Sequence, residues 1–252
     1  LLIDNNVFVV TGAASGLGRA TAAMLTKQGG KVVLVDLDEE RGRSAAEEMS
    51  ASFVRADVSL QADAVAVFHR AVKLGRLSGV VNCAGIAPAA RTVGKEGAHP
   101  LELFQKVLNV NVVGTFNRVR LGAEIMAEND RTKDGERGVI INTASVAAYD
   151  GQIGQAAYAA SKAAVAGMTL PLARDLARDA IRVMTVAPGI FETPMLLGMS
   201  QAVQDALGAS VPFPSRLGKP DEYAMLVRHI LENPMLNGEV IRLDGAIRMP
   251  PK

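Results

Sequence analysis

The chain is poor in the residues that build disulfide frameworks and metal centres. Its single cysteine, Cys83, excludes an internal disulfide, which fits a reducing compartment. Placed at the end of an apolar strand, Cys83 reads as a small buried hydrophobe rather than a reactive thiol. Three histidines, His69, His99 and His229, are scattered without ligand spacing, so no metal site is expected. An excess of either charge is also missing: 27 Lys and Arg against 26 Asp and Glu leave +1. Neither nucleic acid nor an anionic membrane then has an electrostatic claim as main partner. No uninterrupted apolar run reaches the roughly 18 residues of a membrane-spanning helix, and a soluble protein is expected. The first residues run straight into a strand, so no signal or transit peptide is expected within the chain. A cytoplasmic location is expected, or the mitochondrial matrix if an upstream targeting segment was removed.

What is present is a long alternation of strand and helix patterns. With 252 residues, 49% of them hydrophobic, one domain spanning 1–252 has ample material for a filled core. Val7–Thr11, Lys31–Asp36, Phe53–Asp57 and Gly79–Cys83 read as strands, separated by helices near Leu17–Gln28, Glu39–Ser50 and Gln61–Leu74. A long helix at Leu101–Glu128, a strand at Val139–Thr143 and a helix carrying Tyr158 continue the series. A strand near Arg182–Ala187, a helical region near Met195–Leu207, a helix at Pro220–Leu231 and a strand at Glu239–Leu243 complete it. Runs such as Val32-Val33-Leu34-Val35 suit strands covered on both faces. The expected fold is α/β, a Rossmann-type doubly wound parallel sheet of about seven strands flanked by helices. Two polar loops, Ala87–His99 and Asn129–Arg137, read as mobile surface insertions. No repeat, low-complexity tract or linker interrupts the chain.

Two motifs carry chemistry. In Tyr158-Ala-Ala-Ser-Lys162 the four-residue spacing stacks both side chains on one helix face. A phenol of pKa about 10 is too weak a base for an alcohol at neutral pH, and a neighbouring ammonium is expected to bring it down. Ser145, thirteen residues upstream, is placed to hydrogen-bond the substrate oxygen. Such a trio suits alcohol and carbonyl interconversion, although Tyr158 and Lys162 would also serve as a plain amphipathic pair. The second motif is Thr11-Gly12-Ala-Ala-Ser15-Gly16-Leu17-Gly18, a glycine-rich turn after a strand and before a helix. It can bring its amides close to a pyrophosphate at the positive end of the helix dipole. Asp36, 18 residues beyond Gly18, can accept from ribose hydroxyls and repel a 2′-phosphate, so NAD is expected over NADP. Arg41 and Arg43 argue the other way, and Asp36 could instead cap the next helix, as Asp38 equally could.

These spacings resemble the short-chain dehydrogenase/reductase family, and further motifs follow in order: Asp57-Val58, Asn82-Cys83-Ala84-Gly85, Asn111, and Pro188-Gly189 with Thr193. The resemblance implies that Asp57 and Val58 border the adenine and that Asn82, Ala84 and Gly85 line the cofactor's path. Cys83 stands where the family has a second asparagine. Phosphate-preferring relatives often carry a basic residue where this chain has Ser15. Thr193 would bond the nicotinamide carboxamide, or be an ordinary loop threonine. Lys162 would also bind the nicotinamide ribose. Asn111 would hold a water that relays protons from the lysine, or else be a helix-bending polar residue.

Segments such as Gly151-Gln-Ile-Gly-Gln-Ala-Ala-Tyr158 and Val211-Pro-Phe-Pro-Ser-Arg-Leu-Gly218 resemble the type II 3-hydroxyacyl-CoA branch of that family. The implied reaction is oxidation of (S)-3-hydroxyacyl-CoA to 3-oxoacyl-CoA. Gln152 and Gln155 would meet the thioester carbonyl. Lys95, Arg131 or Lys133 would meet the CoA diphosphate unless they are solvated surface charge, and Phe191–Leu207 would cover the acyl chain. Alternatives are another alcohol, polyol or steroid dehydrogenase, a 3-oxoacyl carrier-protein reductase, or a scaffold subunit of an RNA-processing complex. The resemblance also implies a homotetramer formed through the helix around Asn111, the alanine-rich helix bearing Tyr158 and the C-terminal strand.

Overall fold

The computed structural model describes residues 1–251. Strands β1 (Val7–Thr11), β2 (Lys31–Asp36), β3 (Ser52–Arg55) and β4 (Leu77–Asn82) alternate with helices α1 (Gly16–Lys27), α2 (Glu39–Glu48) and α3 (Gln61–Val72). A short hairpin, β5 (Val93–Gly94) and β6 (Gly97–Ala98), gives order to the first of the two predicted loops. Beyond it lie α4 (Leu101–Leu108), a π turn (Asn109–Val113), α5 (Gly114–Ala127), β7 (Gly138–Thr143) and α6 (Ala156–Asp175). The remaining elements are β8 (Ile181–Pro188), α7 (Pro194–Leu197), α8 (Gln201–Ala209), α9 (Pro220–Glu232) and β9 (Val240–Leu243).

Seven strands form one parallel sheet in the order β3-β2-β1-β4-β7-β8-β9. The winding reverses between β1 and β4, which opens a crevice at the carboxyl ends of those strands. Alternate side chains of each strand enter opposite layers. Phe8, Val10, Val32, Leu34, Ile141 and Met184 pack with α1 and α9, whereas Val7, Val9, Val33, Val35, Ile140 and Val183 pack with α3 and α5. This two-sided burial explains the near-continuous apolar runs.

Helix α9 shows how local sequence sets an element. Pro220 sits in its first turn, Glu222 reaches back to the Lys219 N–H at 2.8 Å, and Tyr223, Val227, Ile230 and Leu231 fall on one buried stripe. The predicted single helix Leu101–Glu128 is instead interrupted. At Asn109–Val113 the Gly114 N–H returns to the Asn109 carbonyl five residues back, the bond that defines a π turn.

The loop at residues 129–137 also departs from expectation. Glu136 is only 6% exposed and pairs with Arg182, which is equally withdrawn. Arg182 further donates to the carbonyls of Ile230 at 2.9 Å, Leu231 at 3.1 Å and Leu236 at 2.7 Å. The polar content that suggests a free surface loop therefore includes an anchor. Replacing Glu136 by Ala strips a buried cation of its counter-charge and is expected to cost about 3–5 kcal/mol in urea unfolding. Glu136→Gln, which keeps a hydrogen-bond acceptor, is expected to cost less.

Candidate active site

The glycine turn is shaped by close approach. Gly12 has φ +65°, and a Cβ there would come within 2.9 Å of the Ala84 amide nitrogen. A Cβ on Gly18 would lie 2.3 Å from the Gly12 carbonyl, so the start of α1 rests directly on the turn. Thr11 ties this turn to the next: its hydroxyl oxygen accepts from the N–H groups of Cys83 and Ala84, both at 3.1 Å. Asp36 Oδ2 takes the Ala14 N–H at 2.9 Å, which sets the carboxylate beside the glycine loop. The helix-cap alternative for Asp36 falls away, because Asp38 accepts from the Arg41 N–H at 3.0 Å. Leu17 turns its side chain into the core, leaving its main chain for a ligand. Ser15 precedes α1 without making a side-chain cap, and so does Thr193 before α7. A Cβ on Gly16 would lie 3.7 Å from the Thr193 methyl, which places these two residues across the crevice from each other.

Lys162 is 4% exposed and donates to the Thr143 carbonyl at 2.7 Å. Its Nζ stands 5.8 Å from the centre of the Tyr158 ring. Burial lowers the Lys162 pKa to about 8. Burial also raises the Tyr158 phenol above 10.0, against a smaller downward pull from the Ser145 hydroxyl. The expected depression of the phenol by Lys162 is thus not what the protein's own groups produce. Desolvation is the leading influence, and the ammonium is turned to the Thr143 main-chain carbonyl. Ser145 follows β7 and accepts the Ala147 N–H at 3.1 Å.

Asn111 commits both amide hydrogens, to the Ile86 carbonyl and Ser161 Oγ at 2.9 Å each, while its oxygen accepts the Ile86 N–H at 2.9 Å. A proton relay from Lys162 would have the second lone pair of that oxygen to use. Gly85 makes room for the group, since a Cβ there would come within 3.1 Å of Asn111 Oδ1 and 3.4 Å of Lys162 Nζ.

Asn82 and Asn142, register partners at the ends of β4 and β7, share one hydrogen bond of 2.9 Å. Pro188 ends β8, and Gly189 packs on Asp244 while its N–H reaches the Leu243 carbonyl at 2.9 Å. The predicted cofactor and catalytic residues therefore converge at the carboxyl edge of the sheet.

Residues 6–204 match the family model described as short chain dehydrogenase. The chain belongs to the short-chain dehydrogenase family. It is 57% identical over 255 residues to the 3-hydroxyacyl-CoA dehydrogenase type-2 of Drosophila melanogaster, covering 99% of this chain and all of that one. The crystal structure of 3-hydroxyacyl-CoA dehydrogenase type-2 from Mycobacterium avium superposes with a TM-score of 0.94 at 41% identity, covering 98% of this chain and 97% of that one. A 3-ketoacyl-(acyl-carrier-protein) reductase from Brucella melitensis, complexed with NADH, gives 0.88 at 33% identity, covering 98% and 100%. This short-chain dehydrogenase is an oxidoreductase that uses a nicotinamide cofactor.

Of the residues expected to meet the substrate of the dehydrogenase, Gln152 and Gln155 are partly engaged within the chain, and the expectation for Arg131 and Lys133 is corrected. Gln155 Oε1 accepts the Gln152 N–H at 3.0 Å, and Gln152 Nε2 donates to the Pro250 carbonyl at 3.1 Å. Both side chains thus help hold the loop and the last described residues, whose main-chain groups need partners, while Gln155 Nε2 and Gln152 Oε1 make no hydrogen bond among the described residues and line the cleft. The Ile153 N–H reaches the Pro251 carbonyl at 3.1 Å, and Arg242 pairs with Asp150 at 2.6 Å. Arg131 and Lys133 lie in the loop that feeds the amino end of β7, and Arg131 reaches toward the carbonyls of Gly135 and Arg178. Six residues of strand separate them from the crevice, roughly 20 Å at strand rise, so they are the wrong end for a CoA diphosphate.

Lys95 lies in the turn between β5 and β6, on the exposed hairpin. Arg91, which no motif marked, lines an open cleft of about 620 Å³ with Val93, Gly151, Ile153 and Gln155. The Ala90 N–H pins that hairpin's approach to the Gly154 carbonyl at 2.9 Å. Thr11→Val keeps shape but leaves the Cys83 and Ala84 amides without their acceptor. Each loss is expected to cost about 1–3 kcal/mol, read as a lower urea midpoint together with weaker NADH binding.

Proposed function

We propose that this enzyme interconverts (S)-3-hydroxyacyl-CoA and 3-oxoacyl-CoA with NAD as its cofactor. The observation that carries the substrate class is the 57% identity to a 3-hydroxyacyl-CoA dehydrogenase type-2, which extends over 99% of the chain. It takes in the loop before Tyr158 and the segment after β8, beyond the motifs general to the family.

The crevice suits a dinucleotide on its own geometry. Gly12 and Gly18 leave no room for side chains where the turn must approach a pyrophosphate. Asp36 offers carboxylate oxygens to ribose hydroxyls and like charge to a 2′-phosphate. Arg41 and Arg43 already sit against Asp38 at 3.5 Å and Glu39 at 2.7 Å, which favours NAD. Asp57 and Val58 would border the adenine, and Thr193 would hold the carboxamide. When bound, the nicotinamide supplies the hydride acceptor or donor.

The chain's own residues do the rest. Ser145 hydrogen-bonds the substrate oxygen and orients its carbon. Tyr158 takes the alcohol proton at its phenolate oxygen during oxidation and returns it to the carbonyl oxygen during reduction. Lys162, held by Thr143, contributes positive charge beside the ring. Leu197, Met199 and Val203, each at least 42% exposed on the α7–α8 segment, would cover the acyl chain. Arg91 and Lys95 stand on the side where the CoA phosphates would enter. Exposed Val113, Phe116 and Leu170 are the apolar surface through which a homotetramer would assemble.

Loss of the NADH absorbance with acetoacetyl-CoA is expected, with little turnover of NADPH and none in Tyr158→Phe; equal rates with both cofactors would remove the Asp36 assignment. Absence of turnover would sink the acyl-CoA reading. The pH dependence follows from the two buried groups. Oxidation needs the phenolate, whose pKa is raised, so its rate is expected to climb with pH through the neutral range. Reduction needs the phenol and the ammonium both protonated, and is expected to fall as pH passes about 8, where Lys162 loses its proton. Initial rates in both directions from pH 6 to about 10 check this.

A further inference from the structure

Arg118 on α5 is fully buried, with 0% exposure. It has no close acidic partner: Asp63 and Asp57 act on it only at a distance. Their carboxylates are engaged elsewhere. Asp63 Oδ2 accepts the Asp57 N–H at 2.7 Å, and Asp57 Oδ1 accepts the Ser59 N–H at 2.8 Å and its hydroxyl at 2.7 Å. The guanidinium donates instead to main-chain carbonyls: Val58 through Nη1, Asp57 through Nη2 at 3.3 Å, and Gly114 through Nη1 at 3.5 Å. Its Nε has no partner. Burial lowers the pKa only to about 10, so the group is charged at neutral pH. A cation held in the interior on these terms is expensive, and everything it grips belongs to one turn and to the helix packed on that turn.

The Asp57–Val58 peptide is the centre of that turn. In a trans peptide the carbonyl and the N–H point in opposite directions. When Arg118 draws on the Asp57 carbonyl from within, the Val58 N–H faces away from the guanidinium, and polarisation of the carbonyl strengthens it as a donor. Among the described residues no protein group accepts from it. The Leu60 N–H, at 3.1 Å from the same Asp57 carbonyl, locks the turn from the other side. The start of α5 closes against it as well, since a Cβ on Gly114 would lie 3.0 Å from the Val58 oxygen.

We propose that Arg118 is the positioning residue of the cofactor's adenine wall: by gripping the carbonyls of Asp57 and Val58 it aims the Val58 N–H at the adenine ring, beside the Asp57 carboxylate that Ser59 holds by one oxygen. This rests on the assignment of Asp57 and Val58 to that wall. Arg118 itself touches no ligand.

The test is binding, not turnover. NADH is titrated by its fluorescence and then displaced with AMP, which carries the adenine half alone, in the wild type, Arg118→Met and Arg118→Lys. Arg118→Met is expected to weaken AMP by about tenfold or more, the scale of a lost hydrogen bond to a charged group, and Arg118→Lys to recover part of it. Reduced nicotinamide mononucleotide, which lacks adenine, is expected to bind Arg118→Met as it binds the wild type. An unchanged AMP constant, or an equal loss for both probes, overturns the proposal. Failure of AMP to displace NADH from the wild type overturns the adenine-wall assignment, and the proposal with it. Should Arg118→Met fail to fold, Gly114→Ala presses on the same Val58 carbonyl while leaving the arginine side chain in place. The same selective loss of AMP is then expected, and its absence overturns the proposal.

Discussion

One bond sets the register of the catalytic machinery: the Lys162 ammonium on the carbonyl of Thr143. It fixes α6 against the carboxyl end of β7, and with that the distance between Ser145, two residues beyond the carbonyl, and Tyr158, one helical turn before the lysine. Thr143 is held in its turn, because its hydroxyl shares a 2.7 Å hydrogen bond with Tyr223 of α9. Tyr223 is wholly buried, and Cys83 Sγ lies 3.7 Å from its hydroxyl. A helix on one face of the sheet and a helix on the other thus meet through a single threonine, by its main chain on one side and its side chain on the other.

That arrangement changes how the tyrosine is made ready for proton transfer. The sequence suggested an ammonium four residues away as the group that favours the phenolate, but here the leading influence is burial, which raises the phenol, and the Ser145 hydroxyl is what pulls it down. Lysine and tyrosine are both pushed toward their neutral forms by the same burial. In the proposed role as base, Tyr158 would therefore be poised by the whole crevice, including whatever positive charge an oxidised nicotinamide brings, rather than by one neighbour.

Much of this was legible in the sequence because it is periodic or local. The alternation of strand and helix, the glycine turn, Asp36 and the Ser-Tyr-Lys spacing depend on residues that are neighbours in the chain or one element apart. Arg118 was invisible for the opposite reason, since the carbonyls it grips lie about 60 residues away and only packing brings them together. Cys83 lies one residue past β4 and is half-buried against the core, with its Sγ 3.7 Å from the Tyr223 hydroxyl and its thiol pKa raised by desolvation. Gln152 and Gln155 line the cleft as expected, but the bonds they also make to the loop and to Pro250 could not be read in one dimension. Arg131 and Lys133 misled for want of a topological check. In a parallel sheet a segment that follows a helix returns to the amino ends of the strands, away from the crevice. The π turn was only half marked: Asn109-Val-Asn-Val-Val113 is made of poor helix formers and Asn111 read as a candidate helix bender, but composition does not tell a π turn from a plain bend.

The last described residues are tied to the loop before Tyr158. Pro250 and Pro251 accept hydrogen bonds from Gln152 and Ile153, and Arg242 staples Asp150 to the strand from which that end departs. The loop between Ser145 and Tyr158 is consequently tethered to the last described residues. A pull applied beyond residue 251, by a fused domain or an immobilising handle, is transmitted along two prolines, which stretch little, into the loop that spaces the serine from the tyrosine. The last described residues and the loop that spaces Ser145 from Tyr158 thus share one set of hydrogen bonds, so the two are expected to move together.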